Sequence, residues 1–345
     1  MAYTTINKSS LHMNTKLYTG NGGTQSITGV GFQPDWTWIK GRSNASYHRL
    51  TDAVRGVTKE IYSNDPAAEA TNANGLTTFG TDGFSLGDSG DYNSNGWTFA
   101  SWNWKANGAG SANTAGSINS TVSANTTAGF SIVKYTGNAT VSTIGHGLGV
   151  APKMIITKNL SRSDAFPVDC RQLGGTMYLN ETGTLQSYAD SSPYPSTAPT
   201  NLVYSVGTAG NANYSGSNLI AYCFAEKTGY SKFGSYTGNG NADGSFIYTG
   251  FKPAFVIVKC SSHAGESWWI GDNKRPGYNV NQKALLAESS AAESDESYQA
   301  VDFLSNGIKW RGTNDRVNAS GKTYIYMAFA EAPLVGSNNI PCTAR

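Results

Sequence analysis

The residues best suited to chemistry lie between positions 43 and 56, where His48 and Asp52 stand four residues apart. A histidine and a carboxylate can act together as a general acid and a general base. That work also needs a nucleophile or a second positioned group, and Ser, His and Asp here follow no recognisable nucleophile motif. We therefore predict no enzyme activity and interpret the segment as a hydrogen-bonded rim or a subunit contact. The candidate interface residues are Tyr47, His48, Arg49 and Arg55.

Carboxylates and thiols are the next groups that could bind an ion. Asp82, Asp88 and Asp91 share one loop, and oxygen-rich loops can hold calcium. Their spacing is not that of a helix–loop–helix calcium site, and turns favour aspartate for their own hydrogen bonds. The cysteines have no close spacing, which excludes metal knuckles and redox motifs. We predict no metal and no cofactor. Free thiols are expected at Cys170, Cys223, Cys260 and Cys342.

Aromatic side chains are the candidates for contact with a ligand. Trp268 and Trp269 are consecutive, and neighbours on a strand point to opposite faces, so one ring is exposed unless both faces are covered. An exposed ring would suit stacking on a sugar, whereas a contact between protomers explains it equally well. A polar loop, residues 273–278, follows the pair. The candidate ligand-binding residues are Trp268, Trp269, Arg275 and Tyr278.

The elements that must position these residues recur three times. The motif Tyr-Thr-Gly-Asn begins at Tyr18, Tyr135 and Tyr236. An apolar run from a proline to a lysine six residues later follows each copy, over residues 34–40, 152–158 and 253–259. A closing aromatic residue comes 70, 72 and 76 residues after the proline, at Trp104, Phe224 and Phe329. Three anchors in one order at near-constant spacing indicate a tandem array of one fold.

The local patterns are those of strands and tight turns. The lysine-terminated runs are continuously apolar, as in central strands buried on both faces. Asp82-Gly83 and Asn306-Gly307 predict hairpins in the first and third units, while the middle unit has Tyr204–Gly207 at that point. We predict an all-β fold of three tandem antiparallel β-sandwich modules, of jelly-roll or concanavalin-like type. The modules cover residues 1–106, 116–228 and 229–345, and residues 107–115 form a flexible linker.

Composition narrows the class of protein. Only 14% of the residues are charged, the chain has 40 glycines, and its net charge is +2. This balance gives no electrostatic case for nucleic-acid binding. The sequence shows neither a secretory signal nor an apolar run long enough for a membrane helix. An extracellular composition without a signal or a disulfide framework is typical of a phage virion protein released by lysis.

Several stretches resemble a repeated lectin-like jelly-roll domain of unassigned function from tail-fibre and appendage proteins of marine, cyanophage-type phages. They are residues 31–45, 48–50, 52–56, 73–76, 121–133 and 221–226. The resemblance implies a virion structural protein without catalytic residues. We expect a tail fibre or appendage that contacts the host surface through a glycan, located on the phage tail or particle surface. The alternative is a capsid-surface decoration protein, such as a head fibre or cement protein.

The expected partners are other virion proteins and a host glycan or receptor, without nucleic acid or membrane. Isolated sandwiches with few charges would expose apolar side surface, and closed cyclic symmetry would bury it. We therefore predict a homotrimer. In this arrangement the first module lies near the virion, and the third carries the receptor-binding tip at residues 273–278.

Overall fold

The computed structural model describes residues 4–333, and nearly every regular segment in that range is a β-strand. We refer to residues 4–106, 107–228 and 229–333 as repeats 1, 2 and 3. Repeat 1 contains β1 (Met13–Thr19), β2 (Gln25–Thr28), β3 (Trp36–Gly41), β4 (Arg49–Asp52), β5 (Lys59–Glu60), β6 (Ala70–Thr71), β7 (Leu76–Gly80), β8 (Gly83–Leu86), α1 (Gly90–Asn93) and β9 (Thr98–Trp104).

Repeats 2 and 3 resemble repeat 1 in their order of elements, with two extra strands at the start of repeat 2 and no α-helix among the described residues of repeat 3. Repeat 2 contains β10 (Ser111–Asn113), β11 (Ser120–Asn125), β12 (Phe130–Thr136), β13 (Ser142–Gly145), β14 (Met154–Asn159), β15 (Pro167–Cys170), β16 (Gly175–Tyr178), β17 (Gln186–Ser187), β18 (Val203–Val206), α2 (Gly210–Asn213) and β19 (Asn218–Phe224). Repeat 3 contains β20 (Ser231–Thr237), β21 (Phe246–Tyr248), β22 (Phe251–Cys260), β23 (Trp269–Asp272), β24 (Lys283–Leu286), β25 (Ser294–Asp295), β26 (Val301–Leu304), β27 (Gly307–Trp310) and β28 (Thr323–Pro333). Two 3₁₀ turns cover Ser9–Leu11 and Ser297–Gln299.

Each repeat builds a large antiparallel sheet with the same strand order. The orders are β1-β9-β3-β4, β12-β19-β14-β15 and β20-β28-β22-β23. In every case the closing strand lies between the strand that ends in Tyr-Thr and the strand that carries the lysine. Repeat 2 extends its sheet with β10-β11 on one side and β16-β17 on the other, and repeat 3 adds β24-β25. The predicted all-β, antiparallel character is therefore confirmed.

Side chains on the two faces of these sheets belong to different cores, because strand residues alternate in direction. On β9, Trp102 and Trp104 point into a core shared by all three repeats, and Phe99 points into a core of repeat 1 alone. The closing strands β19 and β28 divide their residues in the same way. The strands β3 and β14 are buried along their whole length. Central strands buried on both faces explain the continuous apolar runs.

Smaller sheets cover the outer faces of the large ones. Their orders are β2-β8-β7, β13-β18 and β21-β27-β26. The pairs β7–β8 and β26–β27 are antiparallel hairpins across the Asp-Gly and Asn-Gly turns, so both predicted hairpins are confirmed. Repeat 2 instead pairs β18 with β13. The small sheet of repeat 2 therefore has two strands, not three, at the point where its sequence lacks the turn found in repeats 1 and 3.

The segment predicted as a flexible linker is held by hydrogen bonds. Ser111–Asn113 pairs with β11 as an edge strand. The backbone N–H of Asn107 donates to Ser123 Oγ at 2.8 Å, and that of Gly108 donates to Asp35 Oδ1 at 3.1 Å. A Gly- and Ser-rich composition predicts flexibility only where the backbone finds no partner, and here it adds a strand to a sheet. The linker prediction is wrong for these residues.

Candidate functional site

The repeated Tyr-Thr-Gly-Asn motif contacts the segment around a buried asparagine that lies shortly before each closing strand. The hydroxyls of Tyr18, Tyr135 and Tyr236 donate to the carbonyls of Tyr92, Ala212 and Val317, at 2.8, 2.6 and 2.6 Å. The residues that follow these carbonyls are Asn93, Asn213 and Asn318, all of them fully buried. The motif therefore joins the strand that ends in Tyr-Thr to the segment that precedes the closing strand of the same repeat.

Each of these asparagines uses both ends of its amide. In repeat 2, Asn213 Oδ1 accepts the backbone N–H of Asn138 at 2.9 Å. Its Nδ2 donates to the carbonyls of Gly207 and Thr140, at 2.8 and 2.6 Å. Asn93 and Asn318 make the corresponding bonds. Each asparagine precedes the closing aromatic by eleven residues, a constant spacing from which sequence analysis could have found them.

The repeated lysines join one repeat to the next. Lys158 Nζ donates to the carbonyls of Pro66 in repeat 1 and Asp164 in its own repeat, at 2.7 and 2.8 Å. Lys259 Nζ of repeat 3 donates to the Gly183 carbonyl of repeat 2 at 2.9 Å. Lys40 Nζ of repeat 1 reaches the Ser290 carbonyl of repeat 3 at 3.3 Å. The contacts run in a closed circle, from repeat 2 to 1, from 1 to 3 and from 3 to 2.

Burial changes the acidity of these lysines. It lowers the pKa of Lys40 and of Lys158 to about 8, and Glu293 and Asp164 respectively oppose the shift. Burial likewise lowers the pKa of Lys259. A desolvated ammonium is costly unless it is hydrogen-bonded, and the carbonyls from the neighbouring repeat supply those bonds. These lysines are structural groups between repeats.

Aspartate–arginine pairs mark two of the same boundaries. Asp272 pairs with Arg275 at 2.6 Å and accepts the indole N–H of Trp102, in repeat 1, at 3.0 Å. Asp52 pairs with Arg55 and accepts the hydroxyl of Tyr222, in repeat 2, at 2.8 Å. Burial alone would raise the pKa of Asp272, but Arg275 and its hydrogen bonds hold it below its usual value.

The third boundary lacks this donor across repeats. The position that matches Trp102 and Tyr222 on the closing strand of repeat 3 is Met327, whose side chain has no hydrogen to donate. The residue opposite Met154 on the neighbouring strand, which matches Asp52 opposite Trp36 and Asp272 opposite Phe255, is Cys170, so the carboxylate acceptor is missing as well. Asp169 is the next residue along and faces the other way; it accepts the hydroxyl of Tyr188, from its own repeat, at 2.6 Å and pairs with Arg171 at 2.7 Å. Lysine contacts therefore join the repeats at all three boundaries, whereas aspartate contacts join them at only two.

The predicted interface residues lie mostly inside the chain. His48 is fully buried and accepts the indole N–H of Trp38 on Nδ1 at 2.8 Å. Burial, and then the nearby Lys40 ammonium, lowers the pKa of His48. Arg55 makes the contact between repeats just described, and Arg49 pairs with Glu60 at 2.6 Å. Only Tyr47, 41% exposed, offers substantial surface, so the prediction of an external interface is wrong for the other three.

Three of the four predicted ligand-binding residues are also buried. Trp268 points into the shared core and donates its indole N–H to the Tyr178 carbonyl at 2.9 Å. Trp269 packs in the core of repeat 3, edge-on to Trp310. Both faces of β23 are covered, so neither ring can stack on a ligand at the surface. Arg275 is occupied by its ion pairs with Asp272 and Glu293.

Tyr278 is the exception, since 80% of it is exposed. It borders a pocket of about 330 Å³ whose other lining residues are Lys252, Asn273, Lys274, Pro276, Gly277, Asn279, Asn281, Phe303 and Glu331. A second groove of about 310 Å³ also adjoins Tyr278, together with Pro276, Val280, Gln282, Lys283 and Asp295. Tyr278 therefore stands as a ridge between two concave surfaces. Sequence analysis missed Lys252, Phe303 and Glu331, because they come from distant strands.

The loop that presents Tyr278 is fixed at its base. Asp272 Oδ1 accepts the backbone N–H groups of Lys274 and Arg275, each at 2.9 Å. On the far side, Asn279 Oδ1 accepts the Phe303 N–H at 2.9 Å. Asn273 lines the pocket, and its Oδ1, which is buried, has no hydrogen-bond partner among the described residues. The pocket therefore combines a free ring with polar groups held in place.

The comparisons with known proteins place the chain in a family. The sequence profile of a domain of unknown function, DUF7483, matches residues 8–333. The chain belongs to this family. The match covers all three repeats together. No curated protein and no solved structure matches the chain.

Two of the three aspartates considered for metal binding, Asp82 and Asp91, have other partners. Asp82 accepts the backbone N–H groups of Gly29 and Gly31, and Asp91 pairs with Arg49. Across residues 4–333, no three His, Cys, Asp or Glu side chains are placed to hold a metal ion. Cys170, Cys223 and Cys260 are buried free thiols, and Cys342 lies outside the described residues. Within the same range no helix is long and apolar enough to cross a membrane.

Proposed function

We propose that the protein is a phage virion structural protein, a tail fibre or appendage that contacts a host-surface glycan through repeat 3. The observation that carries the proposal is the pocket beside Tyr278, where an exposed aromatic ring adjoins polar groups. A sugar ring presents an apolar face for stacking and hydroxyls for hydrogen bonds, and this pocket offers both kinds of partner.

The use of the repeated residues supports a structural role. The polar groups of the motif tyrosines, the buried asparagines and the lysines form hydrogen bonds within and between repeats. Because the polar residues that recur in every repeat hold the fold together, they are not available for catalysis. This use is typical of a protein that acts through its surface. We also propose that each repeat is a β-sandwich module of jelly-roll or concanavalin-like type, since each large sheet faces a small sheet across a core of its own.

A capsid-surface decoration protein is the second candidate. The circular order of the lysine contacts gives one chain an approximate three-fold arrangement, which would suit a three-fold position on a capsid. The two candidates differ in location on the particle, so localisation separates them.

The expected homotrimer rested on apolar surfaces exposed on isolated sandwiches. In the structure those faces meet in the core shared by the three repeats, so burying them requires no second copy. The trimer and the order of repeats from virion to tip therefore stay proposals. Light scattering of the purified chain measures the stoichiometry, and gold labels on repeats 1 and 3 measure the order.

Two experiments test the proposed function. Immunogold labelling or electron cryomicroscopy of purified particles should place the chain on the tail, and absence from the particle overturns the virion assignment. In the second experiment, labelled full-length chain is bound to host cells. Tyr278→Ala should reduce binding, and Tyr248→Ala, which removes another exposed ring on β21, should not. Equal binding by both variants would contradict a role for the Tyr278 pocket.

A further inference from the structure

We infer that the Tyr278 pocket selects an anionic pyranose, a sugar ring that carries a carboxylate or a sulfate. This inference rests on the proposed glycan-binding function and adds the charge of the ligand. It starts from the cations around the loop that presents Tyr278, which are Lys252, Lys274 and Lys283.

Two of these cations are already neutralised. Lys252 Nζ lies 2.7 Å from Glu331 Oε2, and Lys283 Nζ lies 2.6 Å from Asp295 Oδ2. Lys274 is exposed, and among the described residues no carboxylate lies within ion-pair distance of its ammonium. Lys274 is therefore the cation at this site that is free to meet a charge from a ligand.

The position of Lys274 connects it to both sides of the seam between repeats 1 and 3. It lines the Tyr278 pocket and also a groove of about 360 Å³ formed with Asn14, Thr15, Lys16, Leu17 and Gly29. Lys16 adds a second ammonium to that groove. A ligand on Tyr278 whose substituent points towards Lys274 would enter a region of positive charge.

The remaining pocket groups suit a sugar rather than a bare anion. The Tyr278 ring has no other ring or cation stacked on it among the described residues, so its faces are available. Asn273 and Asn279 add amide side chains to the pocket lining, and such groups can hydrogen-bond to sugar hydroxyls. Glu331 is a further acceptor in the pocket. An inorganic anion would meet Lys274 and leave the ring and these acceptors unused.

The test is a titration of the full-length chain with three oligosaccharides of equal length: a polyuronate, a sulfated galactan and a neutral galactan. At low salt the anionic ligands should bind about tenfold more tightly than the neutral one, as one charge-assisted hydrogen bond would give. Raising the salt to about 0.5 M should remove most of that difference through screening. The two anionic ligands show whether a carboxylate or a sulfate is the preferred substituent.

Variants separate the charge from the ring. Lys274→Gln should weaken binding of the anionic ligands about tenfold and leave the neutral ligand unchanged. Tyr278→Ala should weaken all three. Lys153→Gln, at an exposed lysine in repeat 2, is the matched control and should change nothing. Equal binding of neutral and anionic ligands, or no effect of Lys274→Gln, overturns this inference alone, whereas failure of every ligand to bind overturns the proposed glycan contact itself.

Discussion

At the scale of single residues, Asn93, Asn213 and Asn318 show what a repeated polar side chain does in this protein. Each is fully buried and binds backbone groups of two different loops. A hydrophobic side chain could fill the same volume but would leave those backbone groups without partners, which is costly in a protein interior. The asparagines therefore determine how each closing strand meets the start of its repeat.

Replacing Asn93 with Ala should lower the free energy of unfolding by about 2–4 kcal/mol, because the Asn21 N–H and the Gly87 carbonyl lose a buried partner. Asn95→Ala, at an exposed site two residues away, should change it by less than about 0.5 kcal/mol. Urea denaturation followed by tryptophan fluorescence measures both. Equal stabilities of the two variants would contradict the role assigned to Asn93.

The buried lysines predict a dependence of stability on pH. An unfolded lysine keeps its proton up to about pH 10.4, whereas burial lowers the pKa of Lys158 to about 8. Between these values the unfolded chain binds more protons than the folded one, so the free energy of unfolding rises with pH. Burial raises the pKa of the Cys170 and Cys223 thiols, which therefore act in the opposite direction from about pH 8.5, and the Tyr222 hydroxyl does so only above about pH 10.

Lys158→Met should therefore flatten this rise between pH 7.5 and 9.5, by about 1–2 kcal/mol. At pH 7.5 it should also destabilise the chain, since the Pro66 and Asp164 carbonyls lose their donor. Lys153→Met, at an exposed lysine, serves as the control and should keep the slope of the wild type. Urea titrations of the wild type and the two variants at pH 7.5 and 9.5 give the six free energies. A rise of unchanged size in Lys158→Met would refute the assignment.

At the scale of elements, the turn after the Tyr-Thr-Gly-Asn motif shows one departure between the repeats. Gly22 and Gly240 have φ angles of 72° and 65°, and the residue at the same point in repeat 2 is Ala139, with φ 58°. An L-residue in the left-handed region costs about 1–2 kcal/mol, and glycine pays no such cost. Repeat 2 therefore carries a small strain that the other two avoid.

Ala139→Gly should raise the free energy of unfolding by up to about 1 kcal/mol, the relief of strain less the extra freedom of glycine in the unfolded chain. Gly240→Ala should lower it by about 1–2 kcal/mol, and the added Cβ would lie 3.0 Å from Ser320 Cβ. Ala112→Gly, on an exposed edge strand, is the control for the alanine change and should be neutral or slightly destabilising. Thermal denaturation ranks the three variants. Destabilisation by Ala139→Gly would contradict the interpretation.

The strands and hairpins could be predicted from the sequence where they depend on a local pattern. Apolar runs, prolines and Asn-Gly turns each depend on the preferences of a few adjacent residues, and they indicated the central strands and both hairpins. The exposure of Trp268 and Trp269 depends on which residues pack on each face of β23. Repeat 2 provides some of these residues, among them Tyr178. A contact over such a distance in sequence leaves no local signal. The pocket residues Lys252 and Glu331 escaped prediction for the same reason.

At the scale of the whole molecule, the three repeats complete one another. Trp36 of repeat 1 stacks on Tyr222 of repeat 2 with ring centroids 4.4 Å apart, and Trp104 meets Phe255 of repeat 3 at 5.4 Å. Repetition in the sequence indicated three units, but not that their large sheets face a common centre. Side-chain periodicity shows that a face is apolar, and it does not show which other face covers it.

The full chain should therefore unfold in one cooperative transition, since the shared core couples the repeats. A fragment of residues 1–106 exposes the faces that carry Trp36 and Trp104, and we expect it to bind a hydrophobic dye and to lack a sharp thermal transition. Scanning calorimetry of the two proteins measures this. Three separate transitions in the full chain, together with a cooperatively folded fragment, would contradict it.

The bond from Trp102 to Asp272 joins positions 170 residues apart and has a consequence for synthesis of the chain. At ordinary rates of translation, repeat 1 leaves the ribosome on the order of ten to thirty seconds before the strand that carries Asp272. During this interval the part of its tryptophan-rich face that repeat 3 covers, around Trp102 and Trp104, lacks its permanent partner. The nascent chain thus passes through a period in which chaperones or a neighbouring nascent chain can compete with its own third repeat, and the yield of folded protein should depend on how quickly translation ends.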